Sequence, residues 1–356
     1  MRFSVEGVEL RDRSVGCFLG GAVGDALGWP VEFMSLAEIR QKFGPCGITD
    51  FAETSGGRGA ITDDTQMSLF TAEGLLGEYA RCRESGAMPD YPSAIYRSYL
   101  RWLHTQGEVS RAPNFSDCLS GELLKLPELH HRRAPGSTCL SALIAGKMGT
   151  VAVPVNTSKG CGGVMRVAPV GLFCRALPDA LDDRERGVLS FELGCAAAAI
   201  THGHPLGYLP AGFLAAVIFF LVSGKTLEES ISDSMLLLED RPEDGKNTLA
   251  AMISRAVRSS VKEKPCPETI KQLGDGWVGD EALAISLYCA MAARGDFALG
   301  VRLAVNHSGD SDSTGAITGN ILGALLGKGE IPEQWLGFLE LREQIESLAV
   351  CLINLS

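Results

Sequence analysis

Apolar residues recur every three to four positions over residues 15–27, 65–79, 191–200, 281–293 and 316–326, the spacing that lines one face of an α-helix. Strict alternation of apolar and polar residues, the mark of a half-buried strand, is nearly absent. Turn-forming residues cluster between the periodic runs, at 44–59, 107–120, 132–137, 154–163 and 239–247. The pattern predicts roughly ten or more helices joined by Gly- and Pro-containing loops, an all-α fold. None of the breaks has the length or composition of a domain linker, and no internal repeat is evident, so one compact many-helix domain is expected. The most hydrophobic run, 206–222, falls short of a membrane span, contains Gly207, Pro210 and Gly212, and lacks basic flanks. A buried core helix is the expectation.

Composition adds limits rather than detail. The 356 residues, 46% of them apolar, suffice for a large core. A formal charge of −11, from 32 basic and 43 acidic residues, argues against stable, sequence-independent binding to a nucleic-acid backbone. The 11 cysteines are odd in number and contain no C-x-x-C pair, which indicates neither a disulfide framework nor a zinc knuckle. The N-terminal residues lack the continuous apolar stretch of a signal peptide. A cytoplasmic protein with no membrane association is expected.

Three segments carry candidate chemistry. In GRGAITDDTQMSLFTAEGLL, a Gly-containing loop delivers Thr62, Asp63, Asp64 and Thr65 to the start of an amphipathic helix. Helix capping alone accounts for such residues. A second acidic cluster, in NHSGDSDSTGAITGNILGALLG, places Asp310 and Asp312 before another helix. Two such junctions brought together supply four carboxylates plus the hydroxyls of Thr62 and Ser313, a hard-oxygen set for a pair of Mg2+ or Mn2+ ions. Gly315, Gly319 and Gly323, at every fourth position, suit close packing of that helix against a neighbour. The third segment, GCFLGGAVGDALGWPVEF, is a small-residue helix that ends near Gly28 and Pro30 and presents Glu32 on a turn. Taken alone, Glu32 reads as a solvated surface residue.

Other signals are weaker. Asp310, Asp312 and Thr314 match the D-x-D-x-T of haloacid dehalogenase-type phosphatases, but NHSG precedes them where that fold needs a strand. His202 and His204 lack the further soft ligands of a zinc site. His130 and His131 read as a solvent-exposed loop. In GDGWVGDEALAISLYC, capping by Asp280 explains the helix start, and Trp277 is a candidate for a substrate-side role.

Together these segments resemble the ADP-ribosylglycohydrolase family, which includes the dinitrogenase reductase-activating glycohydrolase and the ADP-ribosylarginine hydrolases. The match spans residues 14–327, leaving 1–13 as an N-terminal extension to a domain over 14–356. The family pattern G-D-A-x-G-x-x-x-E-F places a catalytic glutamate on Glu32. The resemblance implies a binuclear Mg2+ or Mn2+ centre held by Thr62, Asp63, Asp64, Asp310, Asp312 and Ser313. The loop NTSKGCGGVMRVAPVG resembles the family's Gly-rich loop before M-R-x-x-P, which implies that Ser158, Lys159, Gly160, Cys161 and Gly162 contact ADP-ribose, with backbone N–H groups cradling the diphosphate. The T-H element implies a ligand-facing His202.

The implied activity is metal-dependent release of ADP-ribose from a protein side chain, with arginine as the expected acceptor. The implied partner is an ADP-ribosylated protein. An alternative from a different class is an immunity protein that protects against an ADP-ribosylating toxin, by reversing the modification or by blocking the toxin.

Overall fold

A computed structural model describes residues 10–177, 181–262 and 265–355. Its helices are α1 (Leu10–Gly28), α2 (Leu36–Phe43), α3 (Asp63–Ser85), α4 (Tyr91–Thr105), α5 (Ser137–Ala145) and α6 (Ala168–Ala176). Next come α7 (Asp183–Ala199), α8 (Pro205–Val222), α9 (Leu227–Glu239), α10 (Lys246–Lys262) and α11 (Pro267–Leu273). The chain closes with α12 (Gly279–Ala292), α13 (Phe297–Val305), α14 (Ser311–Leu326), α15 (Glu333–Leu336) and α16 (Arg342–Ile353). Among the described residues there is no strand, only an isolated antiparallel bridge between Gly160 and Val278. The all-α single domain expected from the periodicity is the fold observed.

The architecture is built around α1 and α14, which are buried on nearly every side, as expected of helices whose small and apolar residues are not confined to one stripe. They run antiparallel in close backbone contact. Gly16, Gly20 and Gly24 of α1 face Gly323, Gly319 and Gly315 of α14, and Gly28 faces Ser311 and Asp312. A Cβ at Gly315 would lie 2.5 Å from Gly24 O, so only hydrogen fits at this crossing. The glycine row read from α14 is thus half of a two-sided seam. Its consequence is positional: the C-terminal end of α1, leading to Glu32, is fixed beside the N-terminal end of α14.

The run 206–222 forms most of α8, whose residues Leu206–Val222 are all buried, as expected of a core helix. Residues 10–13, assigned above to an extension, form the first turn of α1. There Arg13 donates to Leu221 O at 2.7 Å, and residues 1–9 lie outside the described residues.

Candidate active site

Two helix N-termini and one helix C-terminus converge on a cleft of ≈ 320 Å³, which the acids Glu32, Asp63, Asp64, Asp310 and Asp312 line. The start of α3 is held from three directions. Thr62 is its N-cap, with the side chain accepting from Asp64 N. The Ile61 N–H donates to Glu340 Oε2 at 3.0 Å, and Arg133 Nη1 donates to Ile61 O at 2.9 Å. Asp25 of α1, fully buried, accepts the third set. Thr62 N donates to Asp25 Oδ2 at 3.0 Å and Thr62 Oγ1 to Oδ1 at 2.7 Å, while Thr65 N and Thr65 Oγ1 donate to Oδ2 at 3.1 and 2.5 Å. One carboxylate of α1 therefore caps another helix and sets the orientation of Asp63 and Asp64.

At α14, Asp310 is the N-cap and accepts from Ser313 N at 3.3 Å, and its Oδ2 accepts from Cys161 Sγ at 2.7 Å. Asp312 Oδ1 accepts from Ser313 N at 2.9 Å. Glu32, Asp310 and Asp312 each offer an oxygen within 4.8 Å of the others. Glu32 is only 7% exposed, which overturns its reading as a solvated surface residue: the glycine seam docks α14 over the turn that carries it.

These acids raise one another's proton affinity. Glu32 is pushed up to about 9, by burial first and then by the charges of Asp310 and Asp63. Asp63 rises to about 8, again by burial first, although the Gly136 N–H that it accepts at 3.0 Å opposes the shift. Asp64 and Asp312 are held well above the carboxylate range by burial and by their acidic neighbours. The positive ends of α3 and α14 offset part of this repulsion. No Lys or Arg lines the cleft among the described residues. Asp64 Oδ1 and Glu32 Oε2 are buried with no hydrogen-bond partner. Hard oxygen donors, orphaned lone pairs and an uncompensated negative charge fit a divalent cation. Of the two hydroxyls expected among the ligands, Ser313 lines the cleft, whereas Thr62 lies outside that lining, its Oγ1 donating a hydrogen bond to Asp25 Oδ1 and accepting one from Asp64 N.

The remaining residues expected at the site divide. Gly160, Cys161, Gly162 and His202 line the cleft with the acids. Ser158 and Lys159 are outside that lining, and Ser158 Oγ is engaged with Thr138 Oγ1 and Gly160 N, 3.1 and 3.3 Å away. Two amides that the resemblance assigns to the diphosphate are spent inside the protein: Gly160 N–H on Ser158 Oγ, and Cys161 N–H on Trp277 O at 3.2 Å. The Cys161 thiol points at Asp310 and so belongs to the acidic side of the cleft.

His202 is driven down to about 3 by burial and by the nearby Arg166 guanidinium, which keeps the ring neutral. Its Nδ1 lies 2.8 Å from Thr201 Oγ1, which accepts from Arg166 Nη2 at 2.7 Å. The other ring nitrogen, Nε2, faces Gly160. His204 instead caps α8, accepting from Leu206 N at 3.0 Å. The N-cap of α12 is Val278 and not Asp280, which sits buried in the first turn. A turn, not a strand, precedes Asp310, unlike the phosphatase arrangement.

Sequence reasoning passed over Asp25, Arg166 and Phe33. All three stand inside quoted motifs, Asp25 and Phe33 in G-D-A-x-G-x-x-x-E-F and Arg166 in M-R-x-x-P, which is the available signal.

The profile of the ADP-ribosylglycohydrolases matches residues 6–356. The chain belongs to the ADP-ribosylglycohydrolase family. It is 28% identical to the ADP-ribosyl-[dinitrogen reductase] glycohydrolase of Rhodospirillum rubrum, over 96% of this chain and 97% of that protein. It is 26% identical to the ADP-ribosylarginine hydrolase Tri1 of Serratia proteamaculans, over 96% of this chain and 79% of the relative. A solved structure described as an ADP-ribosylglycohydrolase-related protein complex superposes with a TM-score of 0.64 at 29% identity, covering 98% of this chain and 99% of the other. A member of this family is an enzyme that hydrolyses ADP-ribosyl glycosidic bonds.

Proposed function

We propose that this ADP-ribosylglycohydrolase releases ADP-ribose from a modified arginine side chain of a protein, using two divalent ions, Mg2+ or Mn2+. The observation that carries the metal requirement is the buried acidic cluster whose Asp64 Oδ1 and Glu32 Oε2 have no protein partner. Thr62, Asp63, Asp64, Asp310, Asp312 and Ser313 are the proposed ligands. Bound there, the ions would hold ribose hydroxyls and lower the pKa of water next to an oxocarbenium-like centre.

The chain's own groups supply the rest. Glu32 Oε2 takes or returns the proton of the attacking water. Gly160, Cys161, Gly162 and His202, which line the same cleft, are the proposed contacts of the ADP-ribose. The arginine acceptor is supported by the ADP-ribosylarginine hydrolases among the relatives.

Peptides carrying ADP-ribose on arginine or on serine test this reading. Release from the arginine-linked peptide is expected with Mg2+ or Mn2+, with loss on adding chelator and recovery on restoring metal. Turnover indifferent to chelator would remove the metal assignment, and faster release from serine would remove the acceptor assignment. Asp25 provides a second check, because it orients ligands without lining the cleft. Asp25→Ala is expected to weaken divalent-ion affinity roughly 10- to 100-fold by calorimetry, the usual effect of losing a group that orients metal ligands.

A further inference from the structure

One buried guanidinium touches three of the pieces of chain that shape the cleft. Arg133 is 6% exposed. Its Nη1 donates to Ile61 O at 2.9 Å, and Nη1 and Nη2 together grip the Glu340 carboxylate, Nη2 reaching Oε1 at 3.0 Å. Glu340 closes the circuit: its Oε2 accepts the Ile61 N–H at 3.0 Å, and its own N–H donates to Gly59 O at 3.0 Å. Both backbone polar groups of Ile61, the residue before the N-cap of α3, are thereby held by one ion pair.

Arg133 also reaches the turn that carries Glu32. Its guanidinium lies over the Trp29 ring, 5.8 Å from the centroid, and Trp29 opens the turn 29–31 that ends at Glu32. Directly after Arg133 the chain bends. Ala134 holds a φ of 49°, a left-handed value that a residue with a side chain keeps only where its surroundings enforce it. The bend brings the Gly136 N–H to Asp63 Oδ2 at 3.0 Å, and Ala134, Pro135 and Gly136 wall the cleft.

Neither Arg133 nor Glu340 lines the cleft, so any effect on the chemistry passes through the segments they hold. Stability alone is a poor reason for this pair, because well-packed apolar residues often replace a buried ion pair without loss. What apolar residues cannot supply is a rigid fork that binds a carboxylate and a backbone carbonyl at fixed angles.

We infer that Arg133 and Glu340 are positioning residues, which set the spacing between the Asp63–Asp64 turn and the turn that bears Glu32. Their role rests on the one proposed above for these acids. Full-length wild type, Arg133→Met, Arg133→Lys and the double variant Arg133→Met/Glu340→Leu are compared in three measurements. These are turnover of an arginine-linked ADP-ribosyl peptide with Mg2+, thermal melting, and Mn2+ binding by calorimetry.

Arg133→Met is expected to melt lower and to lose roughly 10²-fold in kcat, the effect of displacing reacting groups by about 1 Å, while KM holds. The double variant is expected to regain the melting temperature but not kcat. Arg133→Lys keeps the charge without the fork and is expected to recover little. Arg342→Met, which breaks a surface pair with Glu333 in the same C-terminal segment, keeps wild-type kcat. A double variant that regains kcat together with its melting temperature would reduce the pair to a structural role and overturn the inference. So would an Arg133→Met protein that melts lower at unchanged kcat. A wild type that binds Mn2+ yet releases no ADP-ribose from the peptide would overturn the substrate reading alone. The pair is then judged on the metal: Mn2+ affinity lower by roughly 10- to 100-fold in the folded double variant supports it, and unchanged affinity overturns it.

Discussion

Asp312→Ala is expected to abolish release of ADP-ribose, with a fall in kcat of about 10³-fold or more, and at the same time to stabilise the metal-free protein at pH 8. The loss of activity follows from position: Asp312 shares the oxygen cluster with Glu32 and Asp310, and metal centres contribute several kcal/mol to such reactions. The gain in stability follows from burial. Asp312 is held well above its ordinary pKa by burial, then by Glu32, Asp64 and Asp310. A carboxyl group whose folded pKa is raised contributes stability below its unfolded pKa and loses that contribution as pH rises through the folded value. With Asp63 at about 8 and Glu32 at about 9, the metal-free cluster loses stability over roughly pH 4 to 9.

Thermal melts in chelator at pH 5 and pH 8 check this. The variant is expected to melt near the wild type at pH 5 and above it at pH 8. Added Mg2+ is expected to raise the melting temperature of the wild type only. Asp64→Ala is expected to behave alike, since Asp64 Oδ1 has no partner to lose. Wild-type activity in either variant would exclude the cluster from catalysis. Asp310→Ala is a poorer probe, because it also removes the N-cap of α14.

Much of this cluster is legible in the sequence, and the reason is local. The apolar periodicity at 65–79 and 316–326 begins just after the acids, which stand at the first two positions of α3 and at the N-cap and first turn of α14. Capping chemistry and ligand chemistry favour the same residues at a helix start, so one aspartate pair read alone is ambiguous. The structure shows both at once: Asp310 caps α14 while its other oxygen meets Cys161.

Illegible features depend on distant partners. Asp25 takes its hydrogen bonds from residues 37 and 40 positions away, so the G-D-A motif that contains it does not by itself reveal what it braces. Glu32 lies in a turn whose composition suits the surface, and its burial is created by a helix almost 300 residues later. The stacking of Phe33 on Trp277 and the use of the Cys161 amide by Trp277 O come from the same long-range folding, which brings the loop before α12 against the loop before α6.

The glycine seam joins the two kinds of information, and Gly24→Ala is the change that tests it. A methyl group at Gly24 would overlap the carbonyl of Gly315, a backbone atom that cannot rotate away, so α1 and α14 must separate. The expected loss of stability is on the order of 3 kcal/mol, the upper part of the range for overpacked cores. Denaturant midpoints at constant slope measure it.

Gly77→Ala is the control. It lies in α3 with nothing near its added methyl, and removing glycine's backbone freedom there is expected to stabilise by about 0.5–1 kcal/mol. The seam also has a functional consequence. Gly28 packs on Ser311 and Asp312, so parting the helices displaces Glu32 from Asp310 and Asp312. Gly24→Ala is therefore expected to weaken divalent-ion binding even under conditions where the variant remains folded. A Gly24→Ala protein of wild-type stability would show that the helices can part freely. One that is destabilised but binds metal with wild-type affinity would show that the seam holds the fold and not the site.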